Sequence, residues 1–249
     1  MRDEEHHLLG EGPTLLLLHG LGATRDVWEG WVPLLTRRWP GRWLAPDLPG
    51  HGRAQPLHRY SFGALAAWVA DRLGPAERVA EHDHGLGGVV GLVLASGWFG
   101  VPVQAVVGLG IKVSWTAEEL DRARALAARP VTWFGSRDEA AARHLRVAGL
   151  TGLLEPHAAA VDAGLREEGG RWRLAVDPAA FGVGAPDVPG LLAAGRAPVV
   201  LARGQHDPMV SDAQLRALDP GAVSLPGLAH NAHVEHPAAV LDLLADYLR

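Results

Sequence analysis

The sequence predicts an α/β fold: a mostly parallel central sheet with helices on both faces and a helical segment inserted before the last strands. Three observations lead there. Short apolar runs of strand length alternate with helix-period stretches up to residue 113. A glycine-rich helix carrying Gly87, Gly88 and Gly91 follows directly on the strand that begins at Arg78. Beyond that alternation, residues 114–189 carry helix signals without a strong strand, and the strand pattern resumes only at Pro198. The expected organisation is a core of residues 1–113 and 190–249 with a helical lid, 114–189, over the strand ends.

Taken in order, Gly10-Glu11-Gly12-Pro13 is a turn and Thr14–Leu18 a solid apolar strand ending in His19-Gly20-Leu21-Gly22. Thr24 is a candidate N-cap, with Asp26 in the first turn and Val27, Trp31, Leu34 and Leu35 at helical spacing. A second strand, Arg42–Ala45, runs into the turn-rich loop Pro46-Asp47-Leu48-Pro49-Gly50-His51-Gly52. Ser61 opens a helix whose Phe62, Leu65, Val69 and Leu73 form one apolar stripe. After the Arg78 strand and its helix, Val101–Ile111 supplies another strand. Thr116 with Glu119 and Ser136 with Glu139 have capping-box spacing, and a further helix is expected from Pro156 to Glu168. Strand Pro198–Ala202 gives way to Arg203-Gly204-Gln205-His206-Asp207-Pro208, a helix over Ser211–Leu218 and a strand over Ala222–Leu225. Gly227–His233 forms a loop, and a last helix from Pro237 is expected to bury Val240, Leu241, Leu244 and Leu248.

The 249 residues suit one α/β domain with a sizeable core. A formal net charge of −5 leaves no basic surface for phosphate backbones, so nucleic acid is not an expected partner. The polar N-terminus does not read as a signal peptide, and the apolar runs fall short of a membrane span. Without cysteine there is neither disulfide nor thiolate chemistry, which fits the cytoplasm. No cofactor is implied; the expected partner is a small-molecule substrate, and the oligomeric state stays open.

Arg78–Ala95, RVAEHDHGLGGVVGLVLA, has the build of a strand–sharp turn–helix corner of the G-x-S-x-G kind, in which small residues let the helix pack closely. Its tip is unusual. Two residues before Gly87, the nucleophile's place falls on Gly85, and the motif's first glycine is replaced by Asp83. The strand leading in carries Glu81, His82, Asp83 and His84, which are costly in a central strand unless partnered.

These landmarks, in this order, make the whole chain resemble the α/β-hydrolase superfamily, in particular its lidded esterases, enol-lactonases and carbon–carbon bond hydrolases. His19-Gly20-Leu21-Gly22 looks like the oxyanion loop, Asp47–Gly52 like the loop after the next strand, Arg203–Pro208 like the acid-bearing loop, and Ala229-His230-Asn231 with Glu235-His236-Pro237 like the histidine loop and final helix. The resemblance implies that Asp207 orients His230 as general base, and that the backbone N–H groups of Leu21 and Leu86 form an oxyanion hole. Gly85 would then occupy the nucleophile position. His19, Gly20, His84, Trp28, Trp115 and Trp133 are the candidate substrate-pocket residues, with His19 also readable as structural.

Asp83 has two readings, a nucleophile as in the dehalogenase and epoxide-hydrolase branches, or a hydrogen-bonded carboxylate that tunes the site. Glu81–His84 also invites a metal reading, but consecutive strand residues face opposite ways, so Glu81 with Asp83, or His82 with His84, could share an ion only if another strand completed the site. His51, His206, His233 and His236 are expected in solvated or capping roles. Two functions remain. One is hydrolysis of a small apolar ester, lactone or carbonyl compound by water activated at Asp207–His230; a non-hydrolytic relative, such as a lyase doing proton transfer, would use the same pair with Asp83 or Glu81 as a second acid or base. The other is an inactivated or deliberately altered scaffold, reworked by evolution or by a designer, that binds a ligand or a metal.

Overall fold

The computed structural model describes residues 5–6, 12–74 and 77–247; Gly10, Glu11 and Leu248, named above, lie outside them. Strand β1 (Glu5–His6) is followed by β2 (Thr14–Leu16), α1 (Val32–Arg38), β3 (Trp43–Leu44), α2 (Phe62–Ala70), β4 (Val79–His84), α3 (Leu86–Ala95) and β5 (Val103–Leu109). The stretch between β5 and the next sheet strand holds α4 (Ala117–Ala127), α5 (Arg137–Val147), α6 (Ala159–Ala163), β6 (Leu165–Glu168), β7 (Arg171–Leu174) and α7 (Val188–Ala194). Then come β8 (Val199–Gly204), α8 (Asp212–Leu218), β9 (Val223–Leu225), α9 (Ala232–Glu235) and α10 (Pro237–Leu241).

The main sheet has the order β1-β3-β2-β4-β5-β8-β9, parallel throughout except for β1 at the edge. Its two faces are both covered, and the period of two along the strands sorts the side chains. Leu15 and Leu17 enter the core with Trp28, Trp31 and Val107, while Leu16 and Leu18 enter the opposite core with Leu65, Val90 and Leu94. A solid apolar run, rather than an alternating one, is what such a strand needs.

Three expected elements differ. The helix expected after Thr24 starts as a 3-10 stretch, Arg25–Trp31, and becomes α-helical only at Val32, where Pro33 sits in a first turn that needs no N–H from it. The final helix likewise passes from α10 into a 3-10 stretch over Asp242–Tyr247. The helix expected over Pro156–Glu168 is cut to α6, because Gly169 and Gly170, both at positive φ (59° and 75°), turn the chain into the antiparallel hairpin β6–β7. The inserted stretch is therefore helical with one hairpin, and the hairpin's return, through Val176, pairs with His51 beyond β3.

Candidate active site

Five loops converge at the carboxyl ends of β2, β4, β5, β8 and β9, where ligands bind in open α/β sheets. The sharpest turn is Gly85, at φ 54° and ψ −111°, between β4 and α3. Its N–H donates to the Leu109 carbonyl (2.9 Å), and the N–H of His84 donates to that of Leu18 (3.0 Å), so both neighbouring strands hold the corner. A Cβ at Gly87 would collide with the Leu18 carbonyl, and one at Gly88 would lie 2.8 Å from Ile111 Cγ1. Small residues are required there for α3 to sit this close. At Gly85 itself the nearest heavy atom to such a Cβ is Gly20 Cα, 3.7 Å away, which is ordinary contact.

The Asp207 carboxylate lies 3.0 Å through each oxygen from His230 Nδ1, which donates its proton to it. Asp207 is fixed by the Met209 N–H (2.8 Å), and its carbonyl accepts from the buried Arg203 guanidinium, which also reaches the carbonyls of Gln205 and Val210. The loop before His230 is held by Glu235, whose two oxygens accept from the Ala229 N–H, and the loop after it by Asn231, whose amide donates to the Ala148 and Gly149 carbonyls. Arg203, Glu235 and Asn231 were not singled out from the sequence as site residues. The available signal was a long polar side chain in a strand or tight loop, which must find partners when buried.

Gly20, Leu21, His84, Gly85, Leu86, Trp115 and His230 all line one cavity of about 600 Å³, and Asp207 lies buried behind His230. Leu86 is the first residue of α3, so its N–H has no intrahelical acceptor, and the Leu21 N–H has no backbone acceptor among the described residues. Much of the lining is apolar, including Phe62, Phe181 and Met209; its charged members are Arg146, Glu235 and Lys112, the last beside Trp115 and paired with Glu119 at 2.7 Å.

The remaining expected site residues fall elsewhere. His19 is buried away from the cavity, its Nε2 accepting from the Leu48 N–H and its Nδ1–H donating to the Gly20 carbonyl, which makes it structural. Trp28 is a core residue packed on Trp31, His82 and His233, because it points under the sheet rather than over its end. Trp133 stacks with Arg171 and Arg173 on the hairpin and does not line the cavity. Asp83 also lies outside it, fully buried, with Oδ1 accepting from the Leu18 N–H (2.9 Å). Neither it nor Glu81 lines the cavity, so this geometry supports neither the nucleophile reading nor the second acid/base reading.

The alternation of β4 explains that separation. Glu81 and Asp83 face α3 at Gly91, where an added Cβ would strike Asp83 Oδ2 and Glu81 Oε2, so the two carboxyl groups are neighbours. Both Glu81 oxygens and Asp83 Oδ2 lack partners among the described residues, and burial pushes both groups well up; the charge of Asp83 raises Glu81 further. His82 and His84 face the other way, toward His233. Burial lowers His82 to about 4 and, with the neighbouring His233 and His230, holds His84 well below the usual imidazole range. Among the described residues no three His, Cys, Asp or Glu side chains are grouped to hold a metal ion. His51 and His233, expected in solvated or capping roles, are instead buried, and only His236 caps, accepting from the Ala239 N–H.

Comparison with known proteins places this geometry among relatives. The family model for the alpha/beta hydrolase family matches residues 15–243. Among curated proteins, the chain is 38% identical over 103 residues to the magnesium-chelatase 30 kDa subunit of Rhodobacter capsulatus, covering 40% of this chain and 34% of that one. It is 36% identical over 86 residues to the pimeloyl-[acyl-carrier protein] methyl ester esterase of Methylococcus capsulatus, covering 34% and 31%. The chain thus matches about a third of the length of these relatives. The solved E-2-(acetamidomethylene)succinate hydrolase superposes with a TM-score of 0.75 at 24% identity, over 96% of this chain and 92% of that one, a likeness of fold. No helix among the described residues is long and apolar enough to cross a membrane.

Proposed function

This chain belongs to the alpha/beta hydrolase family, and from that premise we propose that it hydrolyses a small, largely apolar ester, lactone or carbonyl compound with water activated by Asp207–His230. The observation that carries the reading is that His230, already hydrogen-bonded to Asp207, lines the same cavity as Gly85, Leu21 and Leu86. The substrate carbonyl binds with its oxygen toward the N–H groups of Leu21 and Leu86, which stabilise the charge that develops on addition. Gly85 takes the nucleophile's place without offering an atom for attack, and the room above it admits a water molecule. His230 Nε2 removes a proton from that water, Asp207 stabilises the imidazolium, and His230 returns the proton to the leaving group. The apolar lining favours an uncharged acyl or ring portion, and the inserted stretch 114–189 acts as a lid that supplies Trp115 and Phe181 to the cavity. The esterase-type relatives support this reaction class, and a chain without cysteine suits the cytoplasm.

The test is hydrolysis of short-chain aryl esters by the purified protein and by His230→Ala. Loss of ~10²–10⁴-fold in His230→Ala, indifferent to chelator, is the expected result. Turnover that survives in His230→Ala would overturn the reading. The bare tip at Gly85 favours a second reading, a scaffold that binds without turnover. It predicts saturable ligand binding in the same cavity with no hydrolysis by the parent protein.

A further inference from the structure

We propose that His84 is a catalytic residue of this site, its Nδ1 acting beside His230 Nε2 as the second acceptor that orients the hydrolytic water above Gly85. The inference rests on the water-activation reading above and adds a group to it. A tethered hydroxyl is aimed by its own covalent bond and has one hydrogen to place. A water molecule has no tether and two hydrogens, so its attacking lone pair points at a carbonyl only when both hydrogens are held.

The structure supplies two bare imidazole nitrogens for them. His84 Nε2–H donates to the His230 carbonyl at 3.1 Å, which fixes the tautomer and leaves Nδ1 as a lone pair. Burial and the adjacent His233 and His230 keep that ring neutral, so Nδ1 accepts and does not donate. His230 spends its Nδ1–H on Asp207 and keeps Nε2 free. The rings lie 4.6 Å apart at 62°, and both line the cavity. A Cβ at Gly110 would lie 3.2 Å from both His230 Nδ1 and His84 Nε2, so the two committed nitrogens share that side. His84 Nδ1 borders Gly20 instead, 2.6 Å from where a Cβ there would stand, and Gly20 Cα is the atom nearest a Cβ at position 85. Glycine at position 20 thus opens the path between His84 Nδ1 and the space above Gly85.

In the step itself the water oxygen bonds to the acyl carbon while one proton passes to His230 Nε2. The tetrahedral oxyanion collapses, the bond to the leaving oxygen breaks, and that oxygen takes the proton from His230. The second hydrogen stays on the attacking oxygen, held by His84 through addition, and leaves to solvent from the acid product.

Two substitutions separate this role from mere support of the His230 loop. Glutamine places its amide near the Nε2 position and can still donate to the His230 carbonyl, whereas asparagine places its amide near Nδ1 and can still accept from water. With aryl esters, His84→Gln is expected to lose ~10–10²-fold in kcat with KM little changed, and His84→Asn to lose less. The reverse order overturns the proposal. In Gly85→Ser the hydroxyl is tethered, so the burst of acylation should be insensitive to His84→Gln; a burst that falls as far as the parent's kcat also overturns it. A parent protein without hydrolysis beside a Gly85→Ser variant with a burst would sink the water reading itself, and this inference with it. Independently of activity, 15N-histidine spectra at pH 7, with His84→Asn to identify the signals, should show His84 protonated at Nε2 and bare at Nδ1. The opposite tautomer removes the acceptor and the proposal.

Discussion

At the scale of single residues, the site is governed by what each glycine leaves room for. Gly85 is held at positive φ, a conformation costing a side-chain-bearing residue about 1–3 kcal/mol, yet a Cβ there meets nothing closer than 3.7 Å. Gly85→Ser is therefore expected to fold, with a stability loss of that order, and to gain a pre-steady-state burst with activated aryl esters, measured by stopped flow. A folded variant without a burst would mean that His230 and the carbonyl site are not aligned on position 85. Gly91 is the opposite case, because a Cβ there strikes the Glu81 and Asp83 carboxyl groups. Gly91→Ala should destabilise by about 1–3 kcal/mol in urea titrations, the usual cost of overpacking. The spacing of Gly87 and Gly88 could be read from the sequence because each answers a steric demand of the corner. The direction of Trp28 could not, since a tryptophan at a helix start packs equally well over a sheet end or under it.

At the scale of elements, β4 is the strand whose composition and burial conflict. All six of its residues are buried, and Glu81 and Asp83 place against α3 three carboxyl oxygens that have no partner among the described residues. Both carboxyl groups are pushed above their unfolded values, so the fold holds protons there that the unfolded chain releases. Their contribution is fully present below the ordinary carboxylate range and is lost as pH rises through the raised folded values. A Glu81→Gln, Asp83→Asn variant keeps an acceptor for the Leu18 N–H and removes the titration. It should gain stability over the parent at pH 8 and gain less, or nothing, at pH 4.5, by urea unfolding at both pH values; an equal gain at both would show that the pair does not titrate. The alternation that separates Glu81 and Asp83 from His82 and His84 was legible, because a strand has only two faces. Which face carried the cavity was not. The hairpin β6–β7 was missed for a different reason: Gly169-Gly170 is a strong turn signal, but the flanking Arg- and Glu-rich runs lack an apolar alternation to mark them as strands.

Over the whole molecule, two sets of buried groups pull the pH dependence of stability in opposite directions, and their numbers decide the outcome. His19, His51, His82, His84, His144 and His233 are all buried and all lowered, His51 to about 3 and His82 and His144 to about 4, with desolvation the leading cause in each. Each is neutral in the fold and takes up a proton on unfolding below pH ~6.5, so its contribution is present above that value and lost as pH falls toward the folded value. Glu81 and Asp83 act oppositely, the fold binding protons that the unfolded chain has lost above pH ~4. Between pH ~4 and ~6.5 six histidines therefore oppose two carboxyl groups, and stability should rise with pH. Once the pH has risen well past ~6.5 the unfolded histidines have lost their protons, and for as long as Glu81 and Asp83 stay protonated in the fold stability should fall. The expected curve has its maximum above pH ~6.5, where the protons still taken up by the six unfolded histidines balance those held by the two carboxyl groups, with an acid limb steeper than the alkaline one. The Glu81→Gln, Asp83→Asn variant should keep the acid limb and flatten the alkaline limb. A parent curve that rises steadily from pH 6.5 to pH 9 would mean that Glu81 and Asp83 ionise within the fold, and that β4 is open to water.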